Sequence, residues 1–269
     1  MDFQLASDAV SVGYRLESFA EIGSTNAEAL ARAEAGDKGP LWLVTRNQTA
    51  GRGRRGRSWA STDGNLAATL LLSVPVRADV AATLGFAAGL AALDALEASV
   101  GVREGGPGSE RTSFALKWPN DVLWSGAKIA GILLEARPGM DATVVAIGIG
   151  INVTAAPAGT AYQVASLAEI RPAAKAADLF KALSRAWVAR FSAWQAGGPG
   201  FVGLRSAWMA RAAGLGGSIA VDRGDGTLVR GIYETVDPSG HLVVRSDDGS
   251  METIAAGDVH FGAAATVRS

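Results

Sequence analysis

Residues 51–57, Gly-Arg-Gly-Arg-Arg-Gly-Arg, place four arginines and no acid within seven positions. Guanidinium forks match carboxylates and phosphates in bidentate fashion, and the interleaved glycines let the backbone come close to a ligand. An anionic, phosphate-bearing small molecule suits such a loop better than a duplex does. Gln48-Thr49-Ala50 and Trp59 flank it. The glycines formally match G-x-G-x-x-G after a strand-like segment, but that fingerprint needs a helix to start there and an acid about 20 residues on. Residues 58–65 read as no helix, and residues 71–76 are Leu-Leu-Ser-Val-Pro-Val. The dinucleotide reading fails. A solvated basic loop or a nucleic-acid arm is the plainer alternative for any arginine run.

Three further segments carry polar groups where strands end. In Leu116-Lys117-Trp118-Pro119-Asn120-Asp121-Val122 the proline makes Trp118 extended and Pro-Asn-Asp forms a turn, which pins Lys117 at a strand end; an ordinary turn with a surface lysine is the plain alternative. In Lys128-Ile129-Ala130-Gly131-Ile132-Leu133-Leu134-Glu135 a lysine opens an almost wholly apolar strand. A lysine there either snorkels or meets a bound anion, and Gly131 weakens the strand unless something approaches its backbone. In Ala146-Ile147-Gly148-Ile149-Gly150-Ile151-Asn152, period 2 puts Gly148 and Gly150 on one face, bare enough for a helix or a ligand, with Asn152 at the strand end as a polar reader.

The elements that must position these groups follow from periodicity. Residues 14–22 read as a strand leading to Gly23-Ser24-Thr25-Asn26, where Thr25 and Glu28 have the spacing of a capping box for a helix ended by Gly36. Leu41–Thr45 and Leu66–Val74 are buried strands, and residues 80–99 a helix. Phe114–Trp118, Val122–Trp124, Lys128–Ala136 and Thr143–Ile151 follow as strands, with Ser125-Gly126 a hairpin turn. Gly105–Ser109 reads as a loop, and residues 101–112 have no assigned role. A long amphipathic helix spans 172–196 and a shorter one about 201–212. After residues 214–217 the pattern changes to short strands at Ile219–Val221, Leu228–Thr235, Leu242–Val244 and Thr253–Ala255, separated by turn residues, which suggests a small all-β barrel.

Composition narrows the chemistry. The 269 residues carry no cysteine and two histidines, His241 and His260, so disulfides, zinc–thiolate sites, iron–sulfur clusters and thiol catalysis are excluded. Net charge is −1; setting aside the four arginines of 51–57 leaves −5 on the remainder, which recruits neither nucleic acid nor an anionic membrane. Mean hydropathy is +0.19, a globular value. The N-terminus has no secretory pattern and the longest apolar stretches, near 80–100 and 142–151, are too broken or too short for a membrane span. The expectation is a soluble, cytoplasmic protein.

Taken in order, Gly23-Ser24-Thr25-Asn26, Gln48 through Trp59, Lys117-Trp118-Pro119-Asn120-Asp121, Lys128-Ile129-Ala130-Gly131-Ile132-Leu133 and Gly148-Ile149-Gly150-Ile151-Asn152 resemble the biotin–protein ligases, also called biotin–[acetyl-CoA-carboxylase] or holocarboxylase synthetases, strongly over residues 14–155 and more loosely beyond. The resemblance implies an α+β fold, a mixed sheet with packed helices, as catalytic domain over 1–213, and a small SH3-like β-barrel over 214–269. It implies that Ser24, Thr25 and Asn26 hold the ureido ring of biotin, with Gln48, Gly51 and Gly53 lining the pocket and Gly131 beneath the ligand. Arg52, Arg54 and Arg57 would close over biotin and the adenylate. Lys128 would meet the biotin carboxylate and the phosphoryl group. Lys117, with Trp118 and Asn120, would contact ATP, and Asn152 the adenine. Arg54, Lys117 and Lys128 would carry catalysis. The reaction would join the biotin carboxylate to the α-phosphorus of ATP, then pass biotin to a lysine of a biotin carboxyl carrier domain. Magnesium would accompany ATP, held mainly by phosphates with Asp121 a minor helper, and no resident metal site is expected.

In some family members a helix-turn-helix domain precedes this motif; 22 residues precede it here, so no DNA partner is expected. No membrane partner is expected either, and a homodimer is compatible with the resemblance. The competing readings are a lipoate- or octanoate-transferring ligase of the same superfamily, whose pocket would be a plain apolar tunnel, and a nucleic-acid-binding protein. The latter needs further basic and aromatic stripes that the acidic remainder does not supply.

Overall fold

The computed structural model describes residues 3–101 and 114–262. The expected loop at Gly105–Ser109, and all of 101–112 except Gly101, lie outside the described residues.

Alternation along three strands creates the two faces on which the rest is built. Strand β1 (Arg15–Phe19) pairs in parallel with β2 (Leu41–Thr45), which pairs antiparallel with β3 (Leu66–Val74). After β4 (Phe114–Lys117), β5 (Asp121–Trp124), β6 (Ala127–Pro138) and β7 (Thr143–Ile151), the seven-stranded mixed sheet has the order β1-β2-β3-β7-β6-β5-β4. Trp42, Val44, Leu66, Ala68, Leu70, Val145, Ile147 and Ile149 point to one face, in the main core. Leu41, Leu43, Leu71 and Ala146 point to the other, under a short helix α1 (Thr25–Glu34), where Ala29 and Leu30 cover them. Period 2 alone produces this division.

The first face is closed by a pair of helices, α2 (Leu84–Val100) and α3 (Ala176–Gln195). In α3, Leu179, Phe180, Leu183, Trp187 and Trp194 are buried, each worth on the order of 2–3 kcal/mol in transfer free energy. The indole N–H of Trp187 donates to Tyr14 Oη and that of Trp194 to Thr83 Oγ1, both at 2.8 Å, as buried indoles require. The single helix expected over 80–99 is two: a short Ala78–Ala82 turn precedes α2, with Thr83 between them. Residues 78–100 together are long and apolar enough to cross a membrane by length and composition, yet 72% of the most apolar window is buried inside the protein. This is a core element.

At the N-terminus of α1 the cap is Ser24, whose hydroxyl accepts from Ala27 N–H at 3.4 Å. The expected Thr25–Glu28 box does not form. Thr25 is turned into the protein, and Glu28 pairs with Arg32 one turn on.

The expected small β unit is a five-stranded antiparallel sheet: β8 (Ser218–Asp222), β9 (Leu228–Val236), β10 (Leu242–Arg245), β11 (Met251–Ile254) and β12 (Asp258–Phe261), in the order β11-β10-β9-β8-β12. Strand β12 escaped the sequence reading because its Asp-Val-His-Phe alternation runs for only four residues, about the shortest run that marks a strand. The unit is tied to the large sheet: Trp118 is buried and its indole N–H donates to Gly240 O at 3.0 Å, while Arg205 donates to Val236 O and Thr235 Oγ1, each at 2.6 Å.

Candidate active site

The second face of the sheet becomes a site because small residues line it. Thr69 of β3 is in register with Gly148 of β7, and Gly148 with Leu133 of β6; Gly150 of β7 is likewise opposite Gly131. A Cβ at Gly148 would overlap Asn26 Oδ1, and one at Gly150 would overlap the Trp59 indole. The bare strip expected from period 2 therefore accepts both a helix terminus and an aromatic ring from the loop.

Of the residues picked out in the sequence, Ser24, Thr25, Asn26, Gln48, Arg52, Gly53, Arg54, Arg57, Asn120, Lys128 and Gly131 line one cavity. One end is a network of amide and hydroxyl groups backed by the Glu135 carboxylate. Thr25 N–H donates to Gln48 Oε1 at 2.8 Å, and Thr25 Oγ1 lies 3.0 Å from the same oxygen. Asn26 Nδ2 donates to Glu135 Oε2 at 2.9 Å and to Leu133 O at 3.2 Å. Gly51 sits just behind, buried; a Cβ there would stand 2.5 Å from Trp59 O and 2.9 Å from Gln48 Nε2, so glycine is what lets the loop return over the pocket.

The other end is cationic. The arginine segment forms a small hairpin, with Trp59 N–H donating to Gly51 O at 2.9 Å, Gly53 N–H to Arg57 O at 2.7 Å, and Arg55 in the left-handed region at φ 56. Arg54 donates to Asn120 Oδ1 at 2.9 Å, and Asn120 Nδ2 donates to Ile132 O at 2.8 Å. Burial pulls the Arg54 pKa below the ordinary arginine value, with Asp258 opposing. Arg55 and Arg57 both pair with Asp258 of β12, and Arg55 also donates to Arg223 O at 2.8 Å. The C-terminal unit thus anchors the arginine hairpin.

Lys128 Nζ stands 2.7 Å from Asp121 Oδ1, an ion pair not aligned as a hydrogen bond, and 5.7 and 5.6 Å from the ring centres of Trp59 and Tyr162. The lysine expected either to snorkel or to meet a bound anion is paired within the protein, because the tight β4–β5 turn brings Asp121 opposite Gly131.

Besides Gly51, three expected ligand-contacting residues do not line the cavity. Trp118 faces the C-terminal unit, its N–H already bonded to Gly240 O; its role is packing, since an extended strand end sends successive side chains to opposite sides. Lys117 lies beneath the Phe261 ring, 5.3 Å from its centre, and burial lowers its pKa from the ordinary lysine value. Asn152 is buried with Nδ2 donating to Ala165 O at 3.0 Å, and its Oδ1 has no partner. That orphaned acceptor calls for a donor. Trp59, given no role in the sequence beyond flanking the arginines, lines the cavity together with Tyr162 and Asp258, and Thr69 packs behind it against Thr25 and Asn26; none of the last three carried a local signal.

Among the described residues no three acidic or histidine side chains come together as metal ligands. Asp121 and Asp258 are each committed to cations. These residues do not fit a resident metal.

Residues 21–152 match the model of the biotin/lipoate A/B protein ligase family, and residues 214–262 that of the biotin protein ligase C terminal domain. A Paracoccus denitrificans protein named biotin–[acetyl-CoA-carboxylase] ligase is 42% identical over 254 residues, covering 90% of this chain and 99% of that protein. A Mycobacterium tuberculosis protein of the same name is 39% identical, covering 92% and 89%. Among solved structures, the Aquifex aeolicus biotin protein ligase in complex with biotin and ATP superposes with TM-score 0.73 at 22% identity, over 92% of this chain and 99% of that one; at that identity the likeness is one of fold.

Proposed function

The chain belongs to the biotin/lipoate A/B protein ligase family, and on that premise we propose that it is an ATP-dependent ligase that activates biotin as biotinyl-5'-AMP and transfers it to a lysine of the biotin carboxyl carrier protein of acetyl-CoA carboxylase. One observation carries the reading: a single cavity holds a polar amide-and-hydroxyl network at one end and a cation cluster at the other. Biotin has a cyclic urea at one end and a carboxylate at the other. The relatives' names agree with it.

In this reading Ser24, Thr25, Asn26 and Gln48 hold the urea, and the alkyl chain runs over Gly131 and Gly150 beside Trp59. Lys128 exchanges part of its pairing with Asp121 for the biotin carboxylate and orients one oxygen toward the α-phosphorus of magnesium-bound ATP. The new O–P bond forms as pyrophosphate leaves. Arg52, Arg54 and Arg57 face the negative charge that gathers on the phosphoryl oxygens, and Lys117 supports the cluster from behind. Preorganised cations of this kind lower the barrier without a covalent enzyme intermediate. Asn152, buried at the end of β7, lies on the adenine side. An acceptor lysine amine then attacks the anhydride carbon, AMP departs, and the amide remains. Magnesium enters with the phosphates as part of the substrate. The same reading takes residues 1–213 as the catalytic domain and 214–269 as the SH3-like domain, places the protein in the cytoplasm without DNA or membrane partners, and admits a homodimer.

Pyrophosphate–ATP exchange is the test. Exchange is expected with biotin and not with lipoate; the reverse pattern would replace this assignment with a lipoate ligase. Arg54→Ala is expected to leave the melting temperature near that of the parent and to speed loss of the adenylate about tenfold, because Asp258 pairs with Arg55 and Arg57, whereas Arg54, hydrogen-bonded to the neutral Asn120, can give a charge-assisted contact to a bound anion. Stopped-flow release of biotinyl-adenylate measures this, and unchanged release would return the hairpin to a solvated surface feature.

A further inference from the structure

Thr69 is fully buried at the centre of β3, between Ala68 and Leu70 and one strand away from Gly148. Its hydroxyl lies 2.7 Å from Asn26 Oδ1 and 2.7 Å from Thr25 Oγ1. Proton counting decides what those two contacts are. The Asn26 amide nitrogen faces Glu135 Oε2 and Leu133 O, two groups that only accept, so the oxygen Oδ1 is the atom that faces Thr69. An amide oxygen cannot donate, and the single Thr69 proton is therefore committed to Asn26. Thr69 has none left for Thr25. The Thr25 proton must then point inward, to Thr69 Oγ1 or to Gln48 Oε1, which already accepts from Thr25 N–H.

We infer that Thr69 is a positioning residue that sets the hydrogen-bonding sense of the pocket's polar end. It locks the Asn26 side chain and makes Thr25 Oγ1 an acceptor toward the cavity. Gln48, its carbonyl oxygen taken by Thr25, offers its amide N–H groups as donors. One acceptor beside one donor suits a ligand with an N–H next to a C=O, as a cyclic urea presents; a dithiolane ring has neither group. This inference rests on the biotin reading above and extends it, because Thr69 itself touches no ligand.

The test uses the full chain with Thr69→Val, which keeps the branched shape and the strand preference, and Thr69→Ser, which keeps the hydroxyl. Thr69→Val is expected to raise the biotin Kd by titration calorimetry, and KM for biotin in pyrophosphate exchange, about tenfold. Its kcat at saturating biotin and its KM for ATP should stay within about twofold, and Thr69→Ser should bind biotin within about twofold of the parent. Unchanged biotin binding by Thr69→Val would overturn the inference. So would a Thr69→Ser protein as impaired as Thr69→Val, or a parallel decline of both substrates' constants with the melting temperature, which marks a purely structural residue. A parent protein without biotin-dependent exchange would remove the biotin reading and this inference with it, whereas an active parent with an indifferent Thr69→Val removes the inference alone.

Discussion

Lys128→Gln should lower the rate of biotin-dependent pyrophosphate exchange by about 10²–10³-fold, the loss expected when one preorganised charged contact to the transition state is deleted, on the order of 2.7–4 kcal/mol. The side chain stands where the polar strip meets the arginine hairpin, held between Asp121 and the rings of Trp59 and Tyr162. Glutamine preserves length and hydrogen bonding while removing the charge. Stability should change by less, because the side chains of the pair are 17% and 18% exposed rather than fully enclosed. Leaving Asp121 without its counter-ion should cost about 1–3 kcal/mol, or roughly 2–10 °C in Tm for a chain of this size. The double variant Lys128→Gln/Asp121→Asn separates the two effects: its Tm should recover toward the parent while exchange stays low. If exchange recovers together with Tm, Lys128 is structural.

Gly148→Ala should weaken biotin binding about 10–100-fold while the chain still folds. Strand β7 lies between β3 and β6 and is hydrogen-bonded on both sides, so its backbone has no room to retreat. The added methyl would overlap Asn26 Oδ1 and approach its Cγ and Nδ2 as well. Asn26 must swing away and abandon Thr69, Leu133 and Glu135 together. Overpacking of this kind typically costs about 1–3 kcal/mol, and here it disturbs the ligand-facing turn directly. Gly150→Ala offers the contrast, since its methyl would meet the Trp59 ring on the arginine hairpin instead. That variant should affect closure of the hairpin and adenylate retention more than capture of the urea. Calorimetric titration with biotin, compared between the two variants, reads the difference; equal losses would mean that the strip acts as one undivided surface.

Local patterns made much of this architecture readable in the residues themselves. Leu41–Thr45, Leu66–Val74 and Thr143–Ile151 run as strands over the residues their apolar runs mark out, and the long helix expected over 172–196 from its 3.6-residue spacing runs over Ala176–Gln195. The glycine pair of β7, the arginine–glycine hairpin and the lysine opening β6 were visible as chemistry because each is a departure from what a strand or loop otherwise prefers. Periodicity is a property of neighbours in sequence, and it specifies faces.

Which faces meet is settled by pairing across the chain. Thr69 reads as one more β-branched residue in an apolar strand until the β3–β7 register sets it beside Gly148 and under Asn26. Asp258 is some 200 residues from the arginines it holds, and no local pattern near either partner points to the other. Ser24 displaces Thr25 as helix cap because the Thr25 hydroxyl has better partners in Thr69 of β3 and Gln48 of the loop after β2. Trp118 turns from the cavity because the C-terminal sheet offers its N–H an acceptor at Gly240. The sequence alone determined which residue types stand at the strand ends and which positions are bare. The tertiary structure decided which of them share a cavity and which partners each meets, because hydrogen bonds and ion pairs depend on distances that only the assembled sheet sets.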